Sequence, residues 1–223
     1  QRTVDRPTDP RRELRSRGVE SWQVQLTGPL GRAADRPEWI IDPWEIVPII
    51  ETLAAIQQEA IDEFVANGSV GIPFNVFTNN NIGYFGPYEH IWRIQNDSAG
   101  HWQGCIAGHT AIGIEADGTV KGCPSLPTEG YSGGNVREVT IEDMWHRSEA
   151  MRVIHDRAVD DLWGFCRSCY YADVCRGGCT WTSHVLFGRA GNNPYCHYRA
   201  LDLAERGLRE RLMKVADAPG KPF

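Results

Sequence analysis

Several features that would direct a functional assignment at once are missing from the sequence. No apolar run approaches the roughly 18 residues that a membrane span needs. An excess of basic residues is also missing, since the net charge is -6 and the pI is about 5.6, which argues against non-specific nucleic-acid binding. The N-terminus resembles neither a secretory signal nor a transit peptide, so the predicted location is the cytoplasm. These absences favour peptides or small molecules as partners and predict no membrane contact.

Cysteine is absent from most of the chain, and all seven cysteines lie between Cys105 and Cys196. The spacing is C-x17-C from Cys105 to Cys123, then C-x2-C-x5-C-x3-C from Cys166 to Cys179, then Cys196. A chain of 223 residues is long enough to fold without disulfides, so size does not explain the cysteines. Such clustering is typical of thiolate ligands that surround a compact inorganic core.

Three other interpretations of the cysteines have to be weighed. A disulfide framework is typical of small oxidised domains, whereas this chain is larger and has an odd number of cysteines. Structural zinc prefers two ligand pairs with short spacings, which C-x2-C-x5-C-x3-C matches poorly. Free core cysteines are common, but four of them within fourteen residues of a Gly-rich, Arg-containing loop do not resemble core packing.

The first ninety or so residues alternate predicted helices and strands. Residues 13–18 are predicted to be the end of a helix that closes at Gly18, and residues 21–27 alternate apolar and polar side chains as a strand does. Residues 42–68 have the apolar periodicity of a helix, and residues 72–78 are predicted to form a second strand. This order is typical of a parallel α/β layer. Two strands do not complete a sheet or barrel, and the chain begins at Gln1, so we expect a longer protein whose front half is missing. Removal of a tag or leader is the alternative.

A second region begins near residue 79 with Gly, Asn, Pro and aromatic residues. Its aromatic residues between 84 and 92 are compatible with a peptide groove and with packing between domains. Residues 111–115 and 119–121 are predicted to form a hairpin around Ala116-Asp117-Gly118. Thr140 is expected to cap a helix over 141–158, and a last helix is predicted over 198–215.

The cysteine arrangement resembles the SPASM domain, the C-terminal cluster-binding module of radical S-adenosylmethionine (SAM) enzymes that modify peptides and proteins. The pattern of that domain is C-x9-15-G-x4-C, then C-x2-C-x5-C-x3-C, then C. This sequence meets every element over about residues 100–200, with Gly118 as the required glycine. Residues 22–27, followed by Gly31 and Arg32, resemble the last strand of the partial radical SAM barrel.

The resemblance implies an α/β fold, in which the remnant of a partial (β/α) radical SAM barrel precedes a small α+β SPASM domain with a hairpin and cluster-binding loops. Residues 1–95 would be the C-terminal part of the barrel plus a linker. Residues 96–223 would be the SPASM domain with its C-terminal helix.

The resemblance also implies two auxiliary 4Fe-4S clusters in this chain. The first would be held by three thiolates, those of Cys105, Cys123 and Cys179. The second would be held by four, those of Cys166, Cys169, Cys175 and Cys196. Some family members supply a fourth ligand to the first cluster from an eighth cysteine, which is absent here. His101 and His109 are local candidates for that position, and an iron open to substrate or water is the alternative.

Two departures from the family limit the activity of the chain. The radical-generating motif C-x3-C-x2-C is absent, because Cys175 and Cys179 have the first spacing but Thr182 stands where the third cysteine belongs. The chain alone should therefore not cleave SAM. The sulfatase-maturing branch has an aspartate base after the second motif cysteine, where this sequence has Pro124. That specific chemistry is unsupported.

The resemblance implies the C-terminal part of a radical SAM maturase that modifies a ribosomal peptide or protein. The missing half would bind SAM and a third 4Fe-4S cluster, and flavodoxin or ferredoxin would donate electrons. Gln25 and Leu26, at the end of the last barrel strand, would contact SAM, with an apolar core role as the alternative.

Arg167, Arg176 and Lys121 lie beside predicted ligands in the sequence, where they would favour a reduced cluster or simply face solvent. A different class of function also stays open. The chain would then be a stand-alone iron–sulfur electron-transfer or peptide-binding module that works with a separate radical SAM enzyme.

Overall fold

The computed structural model describes residues 10–69, 73–79, 81–92 and 100–216. The first part is a parallel two-stranded layer, in which β1 (Ser21–Val24) pairs with β2 (Asn75–Thr78). Helix α1 (Pro10–Ser16) precedes the layer and α2 (Ile46–Ala66) connects its strands. The predicted parallel α/β order is confirmed, although β1 is shorter than 21–27. The first residue of the second predicted strand, residue 72, lies outside the described residues.

Helix α2 follows a 3-10 turn (Pro43–Glu45) that begins at a capping box, and the helix packs its apolar face on the layer. The backbone N–H of Asp42 donates to Glu45 Oε2 at 2.7 Å, which satisfies a donor at the helix entry. Ile46 and Ile50 are buried against Val76 of β2. This core joins the helix to the layer.

Gln57 of α2 links the helix to the backbone of β2. Its side chain is fully buried, its Oε1 accepts the N–H of Val76 at 2.6 Å, and its Nε2 donates to the carbonyl of Phe74 at 3.3 Å. Because an unpaired buried amide is costly, these bonds satisfy both Gln57 and the strand edge.

The last helix, α8 (His197–Glu205), returns to this core, where Ala200 packs with the residues of α2. The predicted extension to residue 215 is wrong. Gly207 adopts a left-handed φ of 70°, which ends the helix. The chain beyond it is then held near the α2 entry, since the N–H of Leu212 donates to Asp42 Oδ1 at 2.9 Å.

A second, antiparallel sheet has two strands between Cys105 and Cys123 and a third strand after Cys123. The predicted hairpin is confirmed as β3 (Gly113–Ile114) and β4 (Thr119–Lys121). A third strand, β5 (Ser132–Asn135), pairs with β4 and was not predicted, because Ser-Gly-Gly-Asn has no β-favouring side chain. Its glycines permit close packing, since a Cβ on Gly134 would stand 3.3 Å from the sulfur of Met144.

The predicted helix over 141–158 is wrong beyond its first two turns. Thr140 caps α4 (Ile141–Arg147) as expected, and its Oγ1 accepts the N–H of Asp143 at 3.1 Å. Ser148 then starts a separate short helix, α5 (Glu149–Arg152), because its Oγ accepts the N–H of Met151.

Three further short helices lie close to the cysteines, namely α3 (Glu89–Trp92), α6 (Ala172–Cys175) and α7 (Thr180–Phe187). None of the helices in the described part of the chain is both long and apolar enough to cross a bilayer. The structure is thus mixed α/β with two small sheets. The first layer as a barrel remnant stays a prediction, and the predicted domain boundary at 95/96 lies outside the described residues.

Candidate metal centre

Four of the thiols line one cavity. Cys166 lies in a 3-10 turn (Gly164–Ser168), Cys169 follows that turn, Cys175 ends α6, and Cys196 caps the start of α8. The short turns between the first three bring their side chains to one side of the loop, and α8 adds the fourth. We call Cys166, Cys169, Cys175 and Cys196 the four-thiol set.

Aromatic rings form much of the wall around the four-thiol set. The rings of Phe85 and Tyr171 stack with centroids 4.1 Å apart, and Tyr171 meets Tyr198 edge to face at 5.0 Å. Phe85 has a left-handed φ of 54°, which is unfavourable for a bulky residue and is held here by the surrounding packing. The aromatic linker residues Tyr84 and Phe85 therefore pack around the thiols.

The remaining three thiols, of Cys105, Cys123 and Cys179, form a second group that we call the three-thiol set. Cys105 and Cys123 both pack against the small core cluster of Ala107, Leu126 and Ile154. Burial raises the pKa of Cys105 to about 11, and the nearby thiols of Cys179 and Cys123 act in the same direction. Cys179 is buried at the N-terminus of α7. Three distant parts of the sequence thus meet here.

The electrostatic neighbours of each thiol separate the two sets. Burial and then the charges of Cys196, Cys166 and Cys169 raise the pKa of Cys175 well above its usual value, and all of these belong to the four-thiol set. For Cys123, burial is again the main cause, and the thiol that adds to it is Cys179 of the three-thiol set.

Tyr84 lies between the two sets. Burial, followed by the charges of Cys179 and Cys175, raises its pKa well above its ordinary value. Its Oη accepts the backbone N–H of Cys179 at 3.0 Å and the side-chain Nδ2 of Asn193 at 2.9 Å. A single buried ring therefore contacts the backbone of one set and the loop beside the other.

Backbone N–H groups point at several of the sulfur atoms. The N–H of Tyr171 donates to Cys169 Sγ at 3.4 Å. Hydrogen bonds from the backbone of Ala107 and of Gly178 likewise lower the pKa of Cys105 and Cys175, against the larger effect of burial. Such bonds stabilise thiolates and tune the potential of any cluster that they bind. Burial keeps these thiols protonated without metal, so cluster binding would release protons.

The donor chemistry fits an iron–sulfur cluster. Soft thiolates are the ligands that such clusters use, and the four-thiol set surrounds a cavity closed by aromatic rings and by Gly177 and Gly178. A Cβ on Gly178 would stand 2.6 Å from the ring of Tyr84, so glycine is required for this close approach. Among the described residues, no three His, Cys, Asp or Glu side chains converge closely enough for a single metal ion.

A cleft of about 280 Å³ opens beside Cys105. His109 lines it and lies 4.7 Å from the ring of His155, and burial lowers its pKa. His101 lies elsewhere, near Phe85, and its Nδ1 lies 2.9 Å from Gln103 Nε2. Of the two histidines proposed from the sequence, only His109 therefore shares a cleft with a member of the three-thiol set.

The three basic residues named from the sequence already form ion pairs or hydrogen bonds with other parts of the protein. Lys121 is buried and its Nζ lies 2.6 Å from Glu115 Oε1. Arg167 is exposed and pairs with Asp160 at 2.9 Å. Arg176 donates from Nη1 to the carbonyl of His155 at 3.0 Å.

Arg157 also lines the cleft beside Cys105, and sequence reasoning missed it. It is 6% exposed, and burial lowers its pKa while the charge of Cys105 opposes that shift. No sequence signal identifies it, because more than fifty positions separate it from Cys105.

The two residues proposed for SAM lie just beyond β1. Gln25 is exposed. Leu26 packs against the core beneath the layer, and its backbone exchanges hydrogen bonds with the side chain of Asn81. Their contact with SAM stays a prediction.

Solved structures share the fold of this chain. Native anSMEcpe with bound AdoMet and the Cp18Cys peptide matches with a TM-score of 0.52 and 14% identity, over 86% of this chain and 49% of that chain. The same protein with the Kp18Cys peptide matches with a TM-score of 0.52 and 12% identity, over 86% and 48%. At this level of identity the similarity concerns the fold alone.

Sequence comparison likewise finds AdoMet-dependent enzymes. The AdoMet-dependent heme synthase of Methanosarcina barkeri (strain Fusaro) is 32% identical over 98 residues, which are 44% of this chain and 26% of that protein. The corresponding enzyme of Nitratidesulfovibrio vulgaris is 31% identical over 98 residues, 44% and 25% of the two chains. The match spans about a quarter of these curated relatives.

Residues 105–170 match the model of SPASM, an iron–sulfur cluster-binding domain. Residues 105–170 are therefore identified as an iron–sulfur cluster-binding domain of the SPASM type, and the chain is similar to AdoMet-dependent enzymes in sequence and in fold.

Proposed function

We propose that this chain binds two auxiliary 4Fe-4S clusters and forms the C-terminal part of a radical SAM enzyme that modifies a peptide or protein. The observation that supports this best is the division of the seven thiols into a set of four and a set of three, with Tyr84 between them. One cluster for each set accounts for every cysteine of the chain.

The four-thiol set would hold one cluster through Cys166, Cys169, Cys175 and Cys196. Four thiolates complete the ligand shell of a four-iron cluster. Walls that are mostly apolar apart from the buried Arg199, together with four thiolates and no free iron position, would suit electron transfer, because burial and hydrogen bonds to sulfur set the potential.

The three-thiol set would hold the other cluster through Cys105, Cys123 and Cys179. Three thiolates would leave one iron without a protein thiolate, and the cleft that Cys105 shares with Cys175 of the four-thiol set would give access to it. This cluster is the better candidate for anchoring substrate or exchanging an electron with it. His109 is the nearer of the two histidine candidates for the fourth ligand.

The residues and partners outside the cluster sites follow from the same proposal. SAM and a third 4Fe-4S cluster would belong to the rest of the enzyme, with Gln25 and Leu26 near the SAM. When bound there, SAM would supply the radical that abstracts hydrogen from the substrate. Flavodoxin or ferredoxin would donate electrons, and the cytoplasm is the proposed location.

A substrate of another class is the second candidate. The structural neighbour was solved with a peptide, whereas the relatives that are more similar in sequence are AdoMet-dependent heme synthases. The two candidates differ in what should bind near the cleft. Anaerobic titration of the cluster-loaded chain with a cysteine-containing peptide and, separately, with a tetrapyrrole tests this, because only the true substrate class should perturb the spectrum of one cluster at low concentration.

The native gene distinguishes a stand-alone module from part of a longer enzyme. A reading frame that continues upstream through C-x3-C-x2-C supports the enzyme. A natural start near Gln1 supports a module that partners a separate radical SAM enzyme.

Anaerobic reconstitution with iron and sulfide tests the proposal itself. We expect roughly eight irons per chain and broad absorption near about 400 nm, as two four-iron clusters require. Stoichiometric zinc without iron would contradict it and favour a zinc-stabilised interaction domain.

A further inference from the structure

Arg157 is a buried cation with an incomplete set of partners. Its side chain is 6% exposed, and its Nη1 donates to the carbonyl of Arg176 at 3.3 Å. Its Nη2 has no accessible surface and no hydrogen-bond partner among the described residues. A buried charge left without an anion is costly, typically by several kcal/mol. The position therefore calls for an anion.

The charged neighbours of Arg157 identify the kind of anion. Burial lowers the pKa of Arg157, and the first of the charges that oppose this shift is Cys105, with Tyr131, Asp161 and Cys179 after it. Asp161 is exposed, and its Oδ2 already accepts the N–H of Ala158 at 2.8 Å. Cys105 lines the same cleft as Arg157, so the buried anions nearest to the guanidinium would be the thiolates of Cys105 and Cys179 once they hold a cluster.

An acidic ligand in the cleft is the other possible partner. Arg157 lines that cleft, but its Nη2 atom has no accessible surface, so a ligand that enters from solvent does not reach this atom. An anion built into the protein does not have this difficulty. The burial of Nη2 thus favours a cluster held by the protein, rather than a ligand from solvent, as the partner of Arg157.

We propose that Arg157 is the counter-ion of the cluster that Cys105, Cys123 and Cys179 hold, and that it raises the reduction potential of this cluster. The inference rests on the proposed function, since it requires a cluster at the three-thiol set. A cationic neighbour stabilises the reduced state, which has one more negative charge, more than the oxidised state. Arg157 would act through the cluster, as a residue that tunes it.

The test is an anaerobic redox titration followed by electron paramagnetic resonance, on the reconstituted chain and on R157Q. We expect the reduced-to-oxidised ratio of one cluster, at fixed potential, to fall about tenfold in R157Q, a shift of about 59 mV for one electron. The potential of the other cluster should not move. R157K, which keeps the charge, should shift the same cluster by less than half as much.

Two controls make every outcome decisive. R167Q removes an exposed arginine beside Cys166 and should leave both potentials unchanged. An equal shift in R157Q and R157K, or none in R157Q, would overturn the proposal, because the charge would then not be the cause. If R157Q binds only one cluster, R157K must still bind both, and loss of iron from R157K as well would overturn it. Failure of the wild-type chain to bind two clusters contradicts the proposed function instead.

Discussion

The four-thiol set and the three-thiol set differ in how the chain builds them. The first is assembled mostly from one short stretch, and its cavity has aromatic walls. The second joins Cys105, Cys123 after β4, and Cys179 at the start of α7, and it borders an open cleft with Arg157. A local motif would thus provide four ligands around a mostly apolar cavity that Arg199 also lines, whereas three thiols from distant elements would leave one position open near the cleft that Cys105 shares with Cys175.

The largest predicted difference is the response to losing one cysteine. C123S reduces three thiolates to two, so we expect iron to fall from about eight to about four per chain. C169S leaves three thiolates in the other set, the number with which the three-thiol set is proposed to work. It should keep close to eight irons.

Iron and sulfide analysis of both reconstituted variants measures this difference, with circular dichroism to verify folding. Equal iron loss in C123S and C169S would show that the two sets do not differ in this way.

The next prediction concerns access to the open iron. Cyanide added to the reduced, cluster-loaded chain should change the paramagnetic resonance signal of one cluster only, because the four-thiol set has no free position. In C169S the second signal should respond as well. Response of both signals in the wild-type chain would contradict the assignment of four thiolates to one cluster.

A smaller effect is expected at the ring between the sets. Y84F removes the acceptor for the N–H of Cys179 and for Asn193 Nδ2, which leaves two buried donors unsatisfied. We expect the free energy of unfolding to fall by about 2 kcal/mol or more. Anaerobic urea unfolding measures it, with Y170F as the matched control, since Tyr170 is 85% exposed. Equal stability of Y84F and Y170F would mean that the Tyr84 hydroxyl does not organise this region.

The smallest effect is predicted for the surface beside the four-thiol set. Arg167 and Asp160 form an exposed pair, so R167Q should change the free energy of unfolding by less than about 0.5 kcal/mol. Iron content should stay at the wild-type value. A loss of iron in R167Q would mean that the exposed arginine supports the cluster more than its exposure suggests.

Sequence reasoning was most successful where pattern and spacing are local. The entry of α2 at Asp42, the β3–β4 hairpin around Gly118 and the parallel pairing of β1 with β2 are all as predicted. Each depends on a capping residue, a turn glycine or a short periodic run. The two ligand sets were drawn from the family resemblance and stay a proposal.

The failures occurred where tertiary contacts decide. Strand β5 consists of residues that do not favour strands, and its pairing with β4 and close packing on Met144 and Met151 explain it. The helix after Thr140 ends early because Ser148 caps a new one, and α8 ends at Gly207 rather than near residue 215. Arg157 was missed because its role depends on a neighbour distant in sequence.

Native mass spectrometry of the anaerobically reconstituted chain counts intact clusters on one molecule. We expect a dominant species whose mass is that of the chain plus two four-iron, four-sulfide clusters. We also expect that C123S shifts this species to a single cluster, while C169S retains two. A wild-type chain with only one cluster, or with zinc in place of both, would contradict the division into four and three thiols.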